Sequence, residues 1–280
     1  MSKNINPPSK LMARHPLIAL FTFELIKLRS RPWRVMIICI QPRIHALFYP
    51  TQRARMKRNI LPYFENKRGI CIGGALRWEF QEYLKSSEQI INVDCVKYFF
   101  GQPTNADYIC DATDLYFAKD NEFDFVCSSH VLEHLTNPIK ALEEWIRVVK
   151  KGGSIYCGVP DKRLTFDHRR KRTTLLHLID DHVSDIGPLD TTHLCDILYN
   201  SDLSLDSINR EQAFKRMLEY VLAGGVQTSQ PHHHVFIKQD LIALFNYVGL
   251  EMIFATLIGD TIHVVGRKSD FASSDKLPRH

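Results

Sequence analysis

The chain holds seven cysteines but no Cys-x-x-Cys pair. They are scattered and odd in number (Cys39, Cys71, Cys95, Cys110, Cys127, Cys157 and Cys195). That argues against a disulfide scaffold and a cysteine-rich zinc site, and it fits a reducing compartment. Long apolar runs are missing too. A membrane span needs about 20 apolar residues, yet Leu17–Leu28 is interrupted by Glu24 and Lys27, and Val35–Ile40 is short. No uninterrupted apolar core followed by small residues marks a secretory signal. Internal repeats are absent, and the only low-complexity block is His232–His234. Acids nearly vanish from residues 1–68, where Glu24 and Glu65 face 14 Lys and Arg. This stretch carries +12 and the remainder −7.

What is present describes a globular chain. Its 280 residues are 45% hydrophobic and 24% charged, which excludes disorder for the bulk of it. A chain of this length buries a core without disulfides. Residues 1–68 form a basic N-terminal arm punctuated by Pro7, Pro8, Pro16, Pro32, Pro42, Pro50 and Pro62. Such an arm either meets an anionic surface, membrane or polyanion, or packs along its own domain. Leu17–Leu28, beside Arg29, Arg31 and Arg34, fits an interfacial helix.

From Gly69 strands and helices alternate. Arg68–Ile72, Gln89–Val93, Asp107–Cys110, Glu122–Ser128 and Ser154–Val159 read as strands. Trp78–Lys85 reads as a helix, and Pro138–Lys151 is the clearest one. Asn137 suits its cap, Pro138 its first turn, and Gly152-Gly153 its end. Ile139, Leu142, Trp145, Ile146 and Val149 recur at helical spacing. Helix Gln239–Tyr247 precedes two strands, Glu251–Ile258 and Thr261–Arg267, joined by the hairpin pair Gly259-Asp260. The expected fold is α/β: a Rossmann-like, mostly parallel seven-stranded sheet ending in an antiparallel hairpin strand.

The core domain spans residues 69–159 and 236–267. Residues 160–235 read as a helical cap inserted after the fifth strand, with helices over Thr173–His182, Thr192–Asn200 and Asp206–Ala223. The last carries Ile208, Phe214, Leu218, Val221 and Leu222 on one side. The cap falls over the carboxyl ends of the strands, where open α/β sheets bind ligands. Residues 268–280 read as a loose tail.

Three features point to a nucleotide-type ligand. Gly73-Gly74 follows a buried strand and opens a helix, letting a ligand approach the backbone. Asp94 ends the next strand 21 residues later, a spacing at which an acid binds ribose hydroxyls. Asp111 ends the third strand and can accept from an adenine amino group.

The stretch FDFVCSSHVLEHLTNPIKALEEWIRVVKKGGSIYCGVPD carries FDxV, HVLEHL, an amphipathic helix and KxGG before a strand. With the closing FIKQDLIALFNYVGLEMI, it resembles the class I methyltransferases that use S-adenosylmethionine, type 11-like, over Gly69–Arg267. The segment PDKRLTFDHRR resembles the branch found in polysaccharide and natural-product biosynthesis. The resemblance implies S-adenosylmethionine as cofactor and a cytoplasmic enzyme, peripheral to a membrane if the arm binds one. It places Gly73 and Gly74 under the methionine part of the cofactor and Asp94 on the ribose. Asp111 and Ala112 fall at the adenine, and Ser128, Ser129 and His130 near the sulfonium. One departure stands out. Cys71 replaces the acid two residues before the first glycine, and Ala75 and Arg77 replace further glycines.

Methyl transfer is an in-line displacement that rests on positioning, and an oxygen acceptor also needs a base. Seven of the 13 histidines fall in the cap. His168 in Asp167-His168-Arg169-Arg170 is the candidate base, with Asp167 to orient it, and His130 lies beside the methyl site. Asp161, Arg163, Arg169, Arg170, His193 and His234 are candidate acceptor-binding residues, and the arginines suit an anion. The expected acceptor is a sugar, glycan or small anionic metabolite, methylated on oxygen. Nucleic acid is disfavoured, since the body is acidic and lacks an RNA-binding motif. No metal is expected, because consecutive histidines face different ways and at most two of His232–His234 can meet one ion. Two rival readings remain: a non-catalytic partner subunit on the same fold, and a metal-dependent enzyme built from the cap histidines. Oligomeric state leaves no mark in the sequence.

Overall fold

The computed structural model describes residue 54 and residues 57–73, 84–99, 102–205, 209–222 and 231–269. The arm up to residue 53, Gly74, nearly all of the expected helix Trp78–Lys85 and the tail from residue 270 lie outside them.

Seven strands form one sheet: β1 (Arg68–Ile72), β2 (Gln89–Asp94), β5 (Tyr108–Ile109), β6 (Phe123–Ser129), β7 (Val149–Pro160), β8 (Leu250–Ile258) and β9 (Thr261–Lys268). Their order is β5-β2-β1-β6-β7-β9-β8. The first five are parallel, and β9 runs antiparallel to both β7 and β8. This is the expected Rossmann-like sheet. A small antiparallel pair, β3 (Tyr98–Phe99) and β4 (Gln102–Pro103), lies apart from it. The β8–β9 turn uses Gly259 at φ 62°, as a tight hairpin requires.

The strands alternate between two apolar layers. Ile70 and Ile72 join the larger core with Leu142, Trp145, Leu244 and Phe245. Cys71 points to the other side, among Ile60, Phe64, Phe125, Cys127 and Tyr156. The cysteine in the acid's place is therefore an apolar core residue.

Helix α1 (Pro138–Val148) buries Ile139, Ala141, Leu142, Trp145 and Val148, and Asn137 caps it by accepting from the Lys140 N–H at 3.0 Å. It ends three residues before the expected Lys151. Val149 already pairs with Phe123, and Gly152-Gly153 fall inside β7. Sheet pairing overrides the helical periodicity there.

Between β7 and β8 come α2 (Leu175–Val183), α3 (Leu194–Asn200), α4 (Arg210–Leu222) and α5 (Lys238–Tyr247). The apolar side of α4 stays largely at the surface. Phe214, Leu218 and Leu222 are 57%, 47% and 77% exposed, and the helix buries Ala213 and Tyr220 instead. Tyr220 is drawn inward by hydrogen bonds to the Pro188 carbonyl and His233 Nε2. Among the described residues no helix is long and apolar enough to cross a membrane.

Candidate active site

The parallel strands end level with one another. Ile72 is in register with Val93 and with Ser128, and Asp94 with Ile109. Gly73, Asp94, Cys110-Asp111 and Ser129-His130 therefore stand in a row across four adjacent strand ends.

Gly73 adopts φ 80°, and its N–H donates to the Val93 carbonyl. A Cβ there would sit 2.3 Å from Val131 Cγ2, so only glycine fits between β1 and the turn after β6. Asp94 is buried, with Oδ1 accepting from the Val96 N–H at 3.2 Å. Burial outweighs this bond and holds its carboxyl above the usual range. Asp111 spends Oδ1 on the Thr113 N–H and hydroxyl, which shapes the turn. The carbonyl of buried Ala112 accepts from Trp145 Nε1 at 2.8 Å, tying the turn to α1. Ser128 is fully buried, its hydroxyl against Cys157 Sγ, so its side chain is screened from the strand end. Ser129 is nearly buried, and His130 turns out at φ 56°. The His130 N–H bonds the Gly158 carbonyl, Nε2 lies 3.3 Å from Thr261 Oγ1, and Nδ1 lies 3.5 Å from Glu133 Oε1.

The chain after β7 departs from the expected arrangement. Asp167 was expected to orient His168 but does not. Its Oδ2 lies 2.6 Å from His232 Nδ1, and Oδ1 accepts from Arg170 Nη1 at 3.0 Å. His168 is held by the Thr165 carbonyl at Nδ1 and by Asp202 at Nε2, 3.6 Å away. Arg170 was expected to face an anion but is 3% exposed. It is spent on Asp167, Asp196 and the carbonyls of His232 and His233. Burial opposes ionisation of Asp167 and of His232, but each outweighs it for the other, leaving the acid lowered and the imidazole raised. Arg163 and Arg169 do reach solvent, anchored by buried Asp161 and Asp202 respectively. Asp161 is occupied locally, accepting from the Arg163 N–H and Nε.

His193 and His234 do not line an open pocket; they are 8% and 0% exposed. The three consecutive histidines part company. His232 meets His134 edge-on at 4.7 Å, His233 meets Tyr220, and His234 meets His177 and His193. Burial pushes His134, His233 and His234 down to about 3. His193 is raised, because Asp181 and Asp190 outweigh its burial. Sequence reasoning missed His177 and Asp181 as members of this group; their i, i+4 spacing on α2 was the available signal.

The family described as methyltransferase domain matches residues 70–157. An uncharacterized protein of Methanocaldococcus jannaschii is 48% identical over 54 residues, 19% of this chain and 26% of that protein. The match thus spans about a quarter of the curated relative's length. Among solved structures, a SAM-dependent methyltransferase from Aquifex aeolicus shares 11% identity over 77% of this chain and 93% of that one, at a TM-score of 0.43. The 1,6-didemethyltoxoflavin-N1-methyltransferase of Burkholderia thailandensis was solved with 1,6-didemethyltoxoflavin and S-adenosylhomocysteine bound. It shares 10% identity over 95% and 94% of the two chains, at a TM-score of 0.46. At the strand ends Gly73 packs closely against Val131, and the buried carboxylate of Asp94 ends the adjacent strand. Residues 70–157 accordingly match the methyltransferase domain family, and they fold into the parallel part of a Rossmann-like sheet.

Proposed function

We propose that the chain methylates a hydroxyl group of a sugar, glycan or small anionic metabolite. The observation that carries this reading is the row formed by Gly73, Asp94 and His130 at the level ends of three adjacent strands. The cofactor supplies a methyl carbon made electrophilic by positive sulfur. The chain's own task is then alignment, proton removal and exclusion of water.

Gly73 lets the backbone approach the ligand, and Asp94 accepts from the ribose hydroxyls. Ala112, fixed by Trp145, backs the adenine. His130 takes the proton of the acceptor hydroxyl. Its contacts to Thr261 and Glu133, 3.3 and 3.5 Å, are long enough to yield to a bound hydroxyl. Glu133 is 1% exposed and positions the ring. Arg163 and Arg169 stand 56% and 58% exposed, where they can grip a carboxylate or phosphate on the acceptor. The basic arm, most of which lies outside the described residues, brings the enzyme to a membrane surface where a lipid-linked acceptor resides.

Calorimetric titration with S-adenosylmethionine and with its demethylated product tests this reading. Micromolar binding of either is the expected result. A folded chain that binds neither overturns the reading and favours the non-catalytic partner subunit. With binding in hand, transfer of a labelled methyl group to hydroxyl-bearing sugar phosphates identifies the acceptor class.

A further inference from the structure

Four side chains of the cap converge on one point. His177 and Asp181 lie one turn apart on α2, His193 immediately precedes α3, and His234 lies in the segment that leads into α5. One donor atom from each lies within 4.8 Å of the others. His177 Nε2 is 2.8 Å from His193 Nε2. Asp181 Oδ2 is 3.4, 3.6 and 3.7 Å from Nε2 of His177, His193 and His234.

Zinc–nitrogen bonds of about 2.0–2.1 Å put the corners of a tetrahedral site about 3.3 Å apart. These four separations straddle that edge. The rings of the three histidines also meet one another edge-on, as imidazoles gathered about one centre do. Asp181 Oδ2 is buried and has no hydrogen-bond partner. A buried carboxylate oxygen left so is costly. Behind the group, Asp190 Oδ2 lies 2.9 Å from His193 Nδ1, the carboxylate–histidine arrangement that orients metal-bound imidazoles. His234 Nε2 also touches the Thr136 carbonyl at 3.1 Å, a contact that ligation would replace.

We propose that His177, Asp181, His193 and His234 bind one zinc(II) ion that staples three segments of the cap to one another. Three imidazoles and one carboxylate are a zinc donor set, without the thiolates of a redox cluster. Four protein donors fill a tetrahedral shell, so the ion is structural and leaves no open position for an acceptor. Its ligands come from three separate segments. The His234 N–H bonds the Glu133 carbonyl, which links the ion to the turn beside His130. His177, 45% exposed, gives the ion its way in. The two neighbouring groups are poorer candidates. Glu133, His134 and His232 supply three donors, and Asp190, His193 and His233 would use the same His193.

The test uses the full chain, purified without a metal-chelating resin and assayed for metal by mass spectrometry. One zinc per chain is expected, or uptake of one from zinc chloride, and cobalt(II) in its place should show the visible absorption of a four-coordinate centre. His177→Gln, at a half-exposed position, and Asp181→Asn should each lower zinc affinity at least tenfold. His134→Gln should leave the stoichiometry at one. Removing zinc should lower Tm by about 5 °C or more, the stabilisation lost with a ligand bound well above its Kd. A folded wild-type chain that takes up neither zinc nor cobalt overturns the proposal. Unchanged zinc affinity in both His177→Gln and Asp181→Asn overturns it too, as does loss confined to His134→Gln. An unaltered Tm after zinc removal overturns the staple. None of these readouts depends on methyl transfer, so the site stands or falls apart from the proposed activity.

Discussion

Asp167 gives its carboxylate to Nδ1 of His232, 2.6 Å away and 65 residues on, and leaves its chain neighbour His168 to Asp202. With Arg170 on the other oxygen, Asp167 becomes the centre of a buried charge network joining the chain after β7 to the segment before α5. Breaking such a network strands its partners. Asp167→Asn should destabilise the fold by about 3 kcal/mol, whereas His168→Ala should cost about 1 kcal/mol or less. Urea denaturation measures both, and equal losses would contradict the pairing.

Gly73→Ala should cost about 1–3 kcal/mol and weaken cofactor binding, because the residue sits at φ 80° and a Cβ meets Val131. Adding Val131→Ala removes the collision but not the backbone strain. Partial recovery of Tm in the double variant is the expected outcome, and full recovery would show that φ is unimportant.

Asp94→Ala should lower affinity for S-adenosylmethionine more than tenfold in a folded chain, as read by calorimetry. Burial raises the Asp94 carboxyl above its ordinary 3.8. The charged form is the one that accepts from ribose hydroxyls. Affinity should therefore fall with falling pH, beginning above pH 3.8. A flat profile down to that pH would remove the carboxylate from the cofactor site.

His130→Ala should reduce turnover about 100-fold while leaving cofactor affinity within a few-fold. His168→Ala should change turnover little, since that ring is 13% exposed and lies between the Thr165 carbonyl and Asp202. The reverse pattern in single-turnover rates would return the base role to His168.

Glu144 accepts from both Nε and Nη2 of Arg147 and from the Leu115 N–H, fastening α1 to the loop before β6. The bonds from Arg147 hold its carboxyl below the ordinary 4.5. A carboxylate lowered on folding stabilises the native state above its unfolded value and loses that contribution as pH falls through the folded one. Glu144→Gln should thus cost about 1 kcal/mol at neutral pH. Its deficit against the wild type should shrink below pH 4.5. A constant deficit across that range would show that the charge contributes nothing.

The sequence by itself determined the sheet, the core face of α1 and the row of strand-end residues. Each rests on local signals. Dense apolar runs mark strands, 3.6-residue spacing marks Ile139, Leu142 and Trp145, and Asn137-Pro138 marks a helix start. Because parallel strands in one sheet share a direction, placing Gly73, Asp94 and Asp111 at strand ends already brings them to one edge. Tertiary structure decided the rest. Helix α1 stops at Val148 because Val149 finds a strand partner in Phe123. The apolar side of α4 stays exposed because Tyr220 has the buried hydrogen-bond partners. The polar groups between β7 and α5 divide between the Asp167–His232 network and the four-residue group around Asp181. Those partners lie up to 65 residues apart. Their pairing follows from which groups burial leaves to satisfy one another, and no local pattern encodes that.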